Sequence, residues 1–194
     1  MGNYKKEEKT GLKEDIDSNF YGNLKEKIFK MILERAGKSQ KILDVGCGNC
    51  ELALYLIQKG NMEVVGIDIE EKFLETFENI KRVRNKANCF RADAGDLSMF
   101  SNETFDVVIS LYSLHEFSSP SSVLKECARV VKDKIIIIDF IRGTLAEKLW
   151  GERYFSSKEI EKMVEKAGFE ILEEKIISQE GPVLITGSKK VYKS

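Results

Sequence analysis

Ile42-Leu43-Asp44-Val45-Gly46-Cys47-Gly48-Asn49-Cys50 is the stretch that decides the fold of this 194-residue chain. A short apolar run ends in a carboxylate, and two glycines then open a segment, Glu51 to Gln58, with a helical pattern. Glycines at such a joint let the backbone turn sharply and approach a ligand closely. No Lys or Arg lies between Lys41 and Lys59, whereas Asp44 and Glu51 flank the loop. A pyrophosphate would meet a helix N-terminus but also two repelling carboxylates; an ammonium-bearing ligand would find a partner. The dinucleotide fingerprint also requires Gly or Ala three residues beyond Gly48, and Glu51 stands there. The loop therefore reads as shaped for a nucleoside that carries an amino acid.

Outward from this loop, strand patterns fall at 41–45, 62–68, 88–92, 105–111 and 134–139. Helix patterns at 50–59, 70–83 and 120–131 alternate with them, the last opened by Pro120. An earlier helix starts at Asn23, carries Leu24, Ile28, Met31 and Ile32, and stops at Gly37. Ser156 and Glu159 form a capping box whose helix stops at Gly168. Two closing strands, about 169–177 and 183–188, are joined through Gly181-Pro182, short enough for a hairpin, so the last strand should run antiparallel. Val107-Val108-Ile109 and Ile135-Ile136-Ile137-Ile138 are continuous apolar runs, as expected of parallel strands covered by helices on both faces. The expectation is an α/β three-layer sandwich with a mostly parallel sheet, one domain over 20–194 behind a polar segment at 1–19.

Lys and Arg number 31 against 32 Asp and Glu, so no global field steers the chain to nucleic acid or an anionic membrane. The local basic stretches, Lys81 to Lys86 and Lys189-Lys190, read as a solvated helix end and a tail. No apolar run has the length of a signal segment or a membrane span, and a cytoplasmic location is the expectation. Four cysteines, at 47, 50, 89 and 127, make no disulfide scaffold. Cys47 and Cys50 form a C-x-x-C without a second pair or a nearby His, and the glycines alone account for the loop, so no metal is expected.

In an open parallel sheet ligands bind beyond the carboxyl ends of the strands. Asp68 ends the second strand, 24 residues past Asp44, where a carboxylate can accept ribose hydroxyls. After the third strand stand Asp93 and Ala94, a carboxylate beside a backbone N–H that suits the amino edge of an adenine. After the fourth comes Ser110-Leu111-Tyr112-Ser113-Leu114-His115-Glu116-Phe117, rich in groups that can face a substrate.

Asp44-Val45-Gly46-Cys47-Gly48, Val65-Gly66-Ile67-Asp68, Asp93-Ala94 and Phe105-Asp106-Val107-Val108-Ile109-Ser110 together resemble the successive motifs of the Rossmann-like S-adenosylmethionine-dependent methyltransferases. The resemblance covers roughly residues 20–190. It implies a seven-stranded sheet with an antiparallel last strand, Asp44, Gly46, Cys47 and Gly48 around the methionyl moiety, Asp68 and Ile69 at the ribose, and Asp93 with Ala94 at the adenine. Ser110 and Leu111 would lie near the sulfur, and Tyr21 resembles an aromatic that covers the cofactor. Cys50 stands where the family loop often has a third glycine, a departure that bears on the local backbone path.

Such a cofactor is already an activated donor, so the protein must align an acceptor and exclude water; alignment alone supplies on the order of 7–11 kcal/mol. His115, the one histidine of the chain, is the expected general base, with Tyr112 and Glu116 orienting the acceptor. Phe140 to Phe155 is the expected acceptor-side segment, its Leu145, Leu149, Trp150, Tyr154 and Phe155 either lining an apolar pocket or closing the core. The step after the fourth strand lacks the Asn/Asp-Pro-Pro-aromatic pattern of enzymes that methylate exocyclic amines of DNA bases. It is most similar to the small-molecule group that includes quinone-ring methyltransferases. A small-molecule acceptor is the expectation. An RNA or protein acceptor, or a silent cofactor-binding subunit, is the alternative.

Overall fold

The computed structural model describes residues 22–70, 87–178 and 181–190. In chain order these form α1 (Gly22–Ala36), β1 (Lys41–Val45), α2 (Glu51–Gly60), β2 (Glu63–Asp68), β3 (Ala87–Arg91), β4 (Phe105–Leu111) and α3 (Pro120–Val130). There follow β5 (Val131–Asp139), α4 (Leu145–Trp150), α5 (Ser157–Lys166), β6 (Phe169–Ile176) and β7 (Val183–Lys189). The seven strands lie in the order β3-β2-β1-β4-β5-β7-β6. Strands β1 to β5 pair in parallel, and β7 runs antiparallel to both β5 and β6. The expected three-layer sandwich with an antiparallel last strand is therefore the architecture found.

Successive strand residues feed two cores, which is why these strands are apolar throughout. Ile42, Val64, Val107, Ile109, Ile136 and Ile138 pack beneath α1 and α2 with Ile28, Ile32, Leu52 and Leu56. Leu43, Val65, Ile67, Val108, Ile135 and Ile137 face the opposite way, against Val123, Leu124 and Cys127 of α3 and Ile160 and Val164 of α5. Hydrophobic burial on both faces fixes the register, since a slip of one residue would exchange the two sets. Arg35 at the end of α1 grips Glu173 of β6 with two parallel bonds, 2.8 and 2.7 Å, tying the first helix to the far edge of the sheet.

Differences from expectation have local causes. β5 starts at Val131, ahead of the expected 134, because Val131 pairs with Phe105 before a bulge shifts the register at Phe105/Val107. The segment expected to be a cover holds α4, six residues capped by Gly151 in the left-handed region. Phe140, Ala146 and Tyr154 form a small core there, with Tyr112 and Trp150 packed on it. Lys189, expected in a solvated tail, closes β7 and donates to Val131 O at 2.9 Å and Glu103 Oε1 at 3.0 Å. Tyr21, the segment 1–19, the basic stretch 81–86 and all of the expected helix 70–83 beyond residue 70 lie outside the described residues.

Candidate functional site

The strand order reverses between β1 and β4, and a cavity of about 920 Å³ opens at the carboxyl ends of the strands there. Asp44, Gly46, Cys47, Gly48, Asp68, Ile69, Asp93, Ala94, Leu111 and Tyr112 all line it. The ends of four strands, β1 to β4, remote in sequence, thus converge on one space. The wall is strongly acidic, with Asp44, Glu51, Asp68, Glu70, Asp93, Asp96 and Glu116 in its lining. Lys25 of α1 is the one cation among the described lining residues, and it pairs with Glu51. That ion pair removes Glu51 from the charge the loop sequence alone would present. Asp44 keeps its charge problem: it is 2% exposed and its Oδ1 has no hydrogen-bond partner. Burial, with Cys47 and Asp68 nearby, pushes its carboxyl well above the usual carboxylate range.

The glycine loop is braced on β2. Gly46 N and Cys47 N donate to Ile67 O at 2.8 and 3.0 Å, and Gly48 N donates to Asp68 Oδ2 at 2.9 Å. Asp68 Oδ1 takes the Glu70 N–H at 2.9 Å, so two backbone bonds fix this carboxylate at the cavity rim. Asp93 is held similarly by Gly95 N at 2.8 Å. Gly46 and Gly48 both have positive φ, at 72° and 51°, but for different reasons. A Cβ on Gly46 would lie 2.4 Å from Ser113 Cβ, whereas one on Gly48 would meet nothing within 4 Å. Only Gly48 keeps open space where a side chain would be. Cys50, fully buried, sits at φ 62°, so the backbone takes the left-handed path that the family's third glycine favours. For a non-glycine residue that path costs about 1–2 kcal/mol.

Two expected site residues do not reach the cavity lining. Ser110 is 2% exposed, and its hydroxyl meets Ser113 Oγ at 2.8 Å; Ser113 in turn donates to Val45 O at 2.8 Å. This pair clamps the end of β4 to the start of the glycine loop. His115 lies in a short 3-10 turn, Leu114–Glu116, with its side chain only 6% exposed. Its Nδ1 is 2.7 Å from Asp139 Oδ1, and its backbone N–H donates to Asp139 Oδ2 at 3.0 Å. The imidazole Nε2 faces Glu152 at 3.3 Å and Glu116 at 3.9 Å, and the ring packs on Tyr154 at 4.5 Å. Burial pulls its pKa down, but the hydrogen bond and charge of Asp139, then Glu116 and Glu152, outweigh this and leave it raised. Burial raises Asp139 as well, with His115 opposing. The two shifts favour opposite charge states. Three hydrogen bonds onto the Asp139 carboxylate, from His115 Nδ1, His115 N and Phe140 N, decide for the anion, so the shared proton stays on the imidazole.

The residue that does bring this cluster to the cavity is Glu116, which lines it. Burial first, then Glu152 and Asp139, raise its carboxyl above the usual value against the pull of His115. Tyr112 also lines the cavity, at φ 56° with its ring stacked on Phe140 at 4.9 Å. Among the described residues nothing from 140–155 joins the lining, so Tyr154 and its neighbours close a core there. Asp106, within a motif of the resemblance, is at the opposite end of β4, where it accepts from Gln40 N, Lys41 N and Lys132 Nζ, each at 2.9 Å. Cys89, which carries no signal in the sequence, arrives beside Cys47 and Cys50 because β3 pairs Cys89 with Gly66.

Residues 43–138 match the family described as a methyltransferase domain. The ubiquinone biosynthesis O-methyltransferase of Neisseria meningitidis serogroup C is 32% identical over 99 residues, 49% of this chain and 41% of that protein. The ribosomal protein L11 methyltransferase of Aquifex aeolicus is 42% identical over 111 residues, 55% of this chain and 40% of that protein. The chain thus spans about two fifths of the length of these curated relatives. The solved magnesium protoporphyrin IX methyltransferase of Synechocystis PCC 6803, with SAH bound, is 20% identical. It shares the fold at a TM-score of 0.73, over 92% of this chain and 87% of that one. Residues 43–138 thus match a methyltransferase family, and in the order of its motifs and strands the chain is similar to the Rossmann-like S-adenosylmethionine-dependent methyltransferases.

Proposed function

We propose that this chain transfers a methyl group from S-adenosylmethionine to a small-molecule acceptor. The observation that carries the reading is the acidic cavity at the β1/β4 reversal, with the buried Asp44 oxygen left without a partner. An unpaired buried acceptor costs about 1–3 kcal/mol. A ligand that brings a cation or an N–H group into the cavity removes that cost, and a pyrophosphate does not. The cofactor, when bound, supplies an electrophilic methyl on a sulfonium.

The protein's part is binding, orientation and proton removal. Asp68 and Asp93, each pinned by backbone N–H groups, hold hydroxyl and amino donors of the nucleoside, with Ile69 and Ala94 supplying apolar surface. Gly48 leaves room for the amino-acid end. Glu116 takes the acceptor's proton, since a carboxylate of raised pKa is better matched to that task near neutrality. Tyr112 orients the acceptor. His115 is a positioning residue, holding Glu116 from behind through its imidazole while Asp139 fixes the ring. The relatives named for ubiquinone biosynthesis support a small acceptor, and the Aquifex relative, named for a ribosomal protein, favours a protein acceptor as the second reading.

The test uses methyl-labelled S-adenosylmethionine with a panel of phenols and quinols, and separately with ribosomal protein and RNA extracts. Label in the small-molecule fraction is expected; label confined to protein selects the second reading. Glu116→Gln is expected to lower turnover about 100-fold while the calorimetric heat of S-adenosylhomocysteine binding is unchanged. No heat from the wild-type chain with that ligand would remove the cofactor, and the reading with it.

A further inference from the structure

Beneath the glycine loop three thiols meet. Cys47 and Cys50 Sγ are 3.6 Å apart, and with Cys89 Sγ all three lie within 4.8 Å of one another. None is in a disulfide, and all are buried, at 8%, 0% and 4% exposure. Three sulfurs bound at about 2.3 Å to one ion in a plane are about 4.0 Å apart, which the observed cluster approaches without backbone movement. From this geometry we propose that Cys47, Cys50 and Cys89 form a binding site for a soft, thiolate-seeking divalent cation of the zinc and cadmium kind.

A buried cysteine is ordinarily a small core residue, and Cys127 shows that pattern, alone among Leu124, Val123 and their neighbours on α3. The other three differ in two independent ways. The space they occupy is reserved: a Cβ on Gly66 would stand 2.7 Å from Cys89 Sγ and 2.9 Å from Cys47 Sγ, so the β2 position facing them has no side chain. They also have a route to solvent, because Cys47 lines the cavity. Sulfur donors select soft ions over magnesium or calcium. On binding, three S–H bonds give way to three sulfur–metal bonds, the protons leave to solvent, and no electron changes hands.

Cadmium is the probe, added to the full reduced chain after chelator treatment. The expected result is a sulfur-to-cadmium absorption band that saturates at one ion per chain, with three sulfurs counted by X-ray absorption at the metal edge. Cys89→Ser is expected to weaken binding at least about tenfold, and Cys127→Ser to leave it unchanged. No band in the reduced wild type, fewer than three sulfurs on the ion, or equal binding by Cys89→Ser overturns the proposal. Should Cys89→Ser fail to fold, the sulfur count on the wild-type chain decides. None of these readouts depends on methyl transfer.

Discussion

Gly46 and Gly48 are two residues apart and look alike in sequence, yet the structure gives them separate work. At Gly46 the left-handed backbone and the 2.4 Å approach of Ser113 Cβ act together. Gly46→Ala adds an αL penalty to an overpacking penalty, a loss on the order of 3 kcal/mol by thermal or denaturant unfolding. Gly48→Ala meets no neighbour, so it costs only the backbone penalty of about 1–2 kcal/mol, but its methyl enters the cavity. Calorimetry with S-adenosylhomocysteine should show the larger fractional loss of affinity for Gly48→Ala.

Asp44 carries the complementary lesson. Its raised pKa means that the folded state binds a proton more tightly than the unfolded chain. Its contribution to stability is therefore full below the ordinary carboxylate pKa and is lost as pH rises through the folded value. Asp44→Asn removes this burden and should raise the melting temperature of the ligand-free chain at neutral pH, by an amount equivalent to on the order of 1 kcal/mol. The same change should weaken S-adenosylhomocysteine binding at least tenfold. A variant that melts lower than wild type at neutral pH, or binds as tightly, would show that Asp44 is satisfied in some other way.

Among the elements, those with strong local signals were legible. The capping box opening α5 is present in full: Ser156 Oγ accepts from Glu159 N, and Glu159 Oε2 accepts from Ser156 N at 2.8 Å. Ser156→Ala should cost about 1 kcal/mol, read as a lower denaturant midpoint at unchanged slope, without effect on ligand affinity since α5 does not line the cavity. By contrast α4 and the 3-10 turn over Leu114–Glu116 are shorter than the two helical turns that a period needs to declare itself. That turn matters for the site: by curling there, the chain buries His115 against Asp139 and presents Glu116 to the cavity. By residue type His115 is the expected base and Glu116 only an orienting group; the turn reverses which of the two meets the cavity.

At the scale of the whole molecule, the sheet was readable because burial on both faces leaves continuous apolar strands, and a parallel sheet brings ligands to its carboxyl ends. What could not be read were contacts made by register between distant strands. The Gly66–Cys89 pairing that completes the thiol cluster is one. The link from His115 to Asp139, at the end of β5, is another. That second link has a consequence for global stability. A histidine whose folded pKa is raised stabilises the fold fully below its unfolded value of about 6.5, and the contribution is lost as pH rises through the folded pKa. The groups facing the imidazole are Asp139, Glu116, Glu152 and the Tyr154 ring, so deprotonation leaves a neutral ring among carboxylates that no longer gain from it. Melting temperature should therefore fall from pH 6.5 upward. Asp139→Asn should melt lower than wild type at pH 6 and show a shallower decline, because the largest source of the raised pKa is gone; Asp44 contributes equally to both curves and drops out of the difference. A wild-type melting temperature that is flat or rises over this range, or equal slopes in the two proteins, would mean that the His115–Asp139 pair holds no extra proton in the folded state.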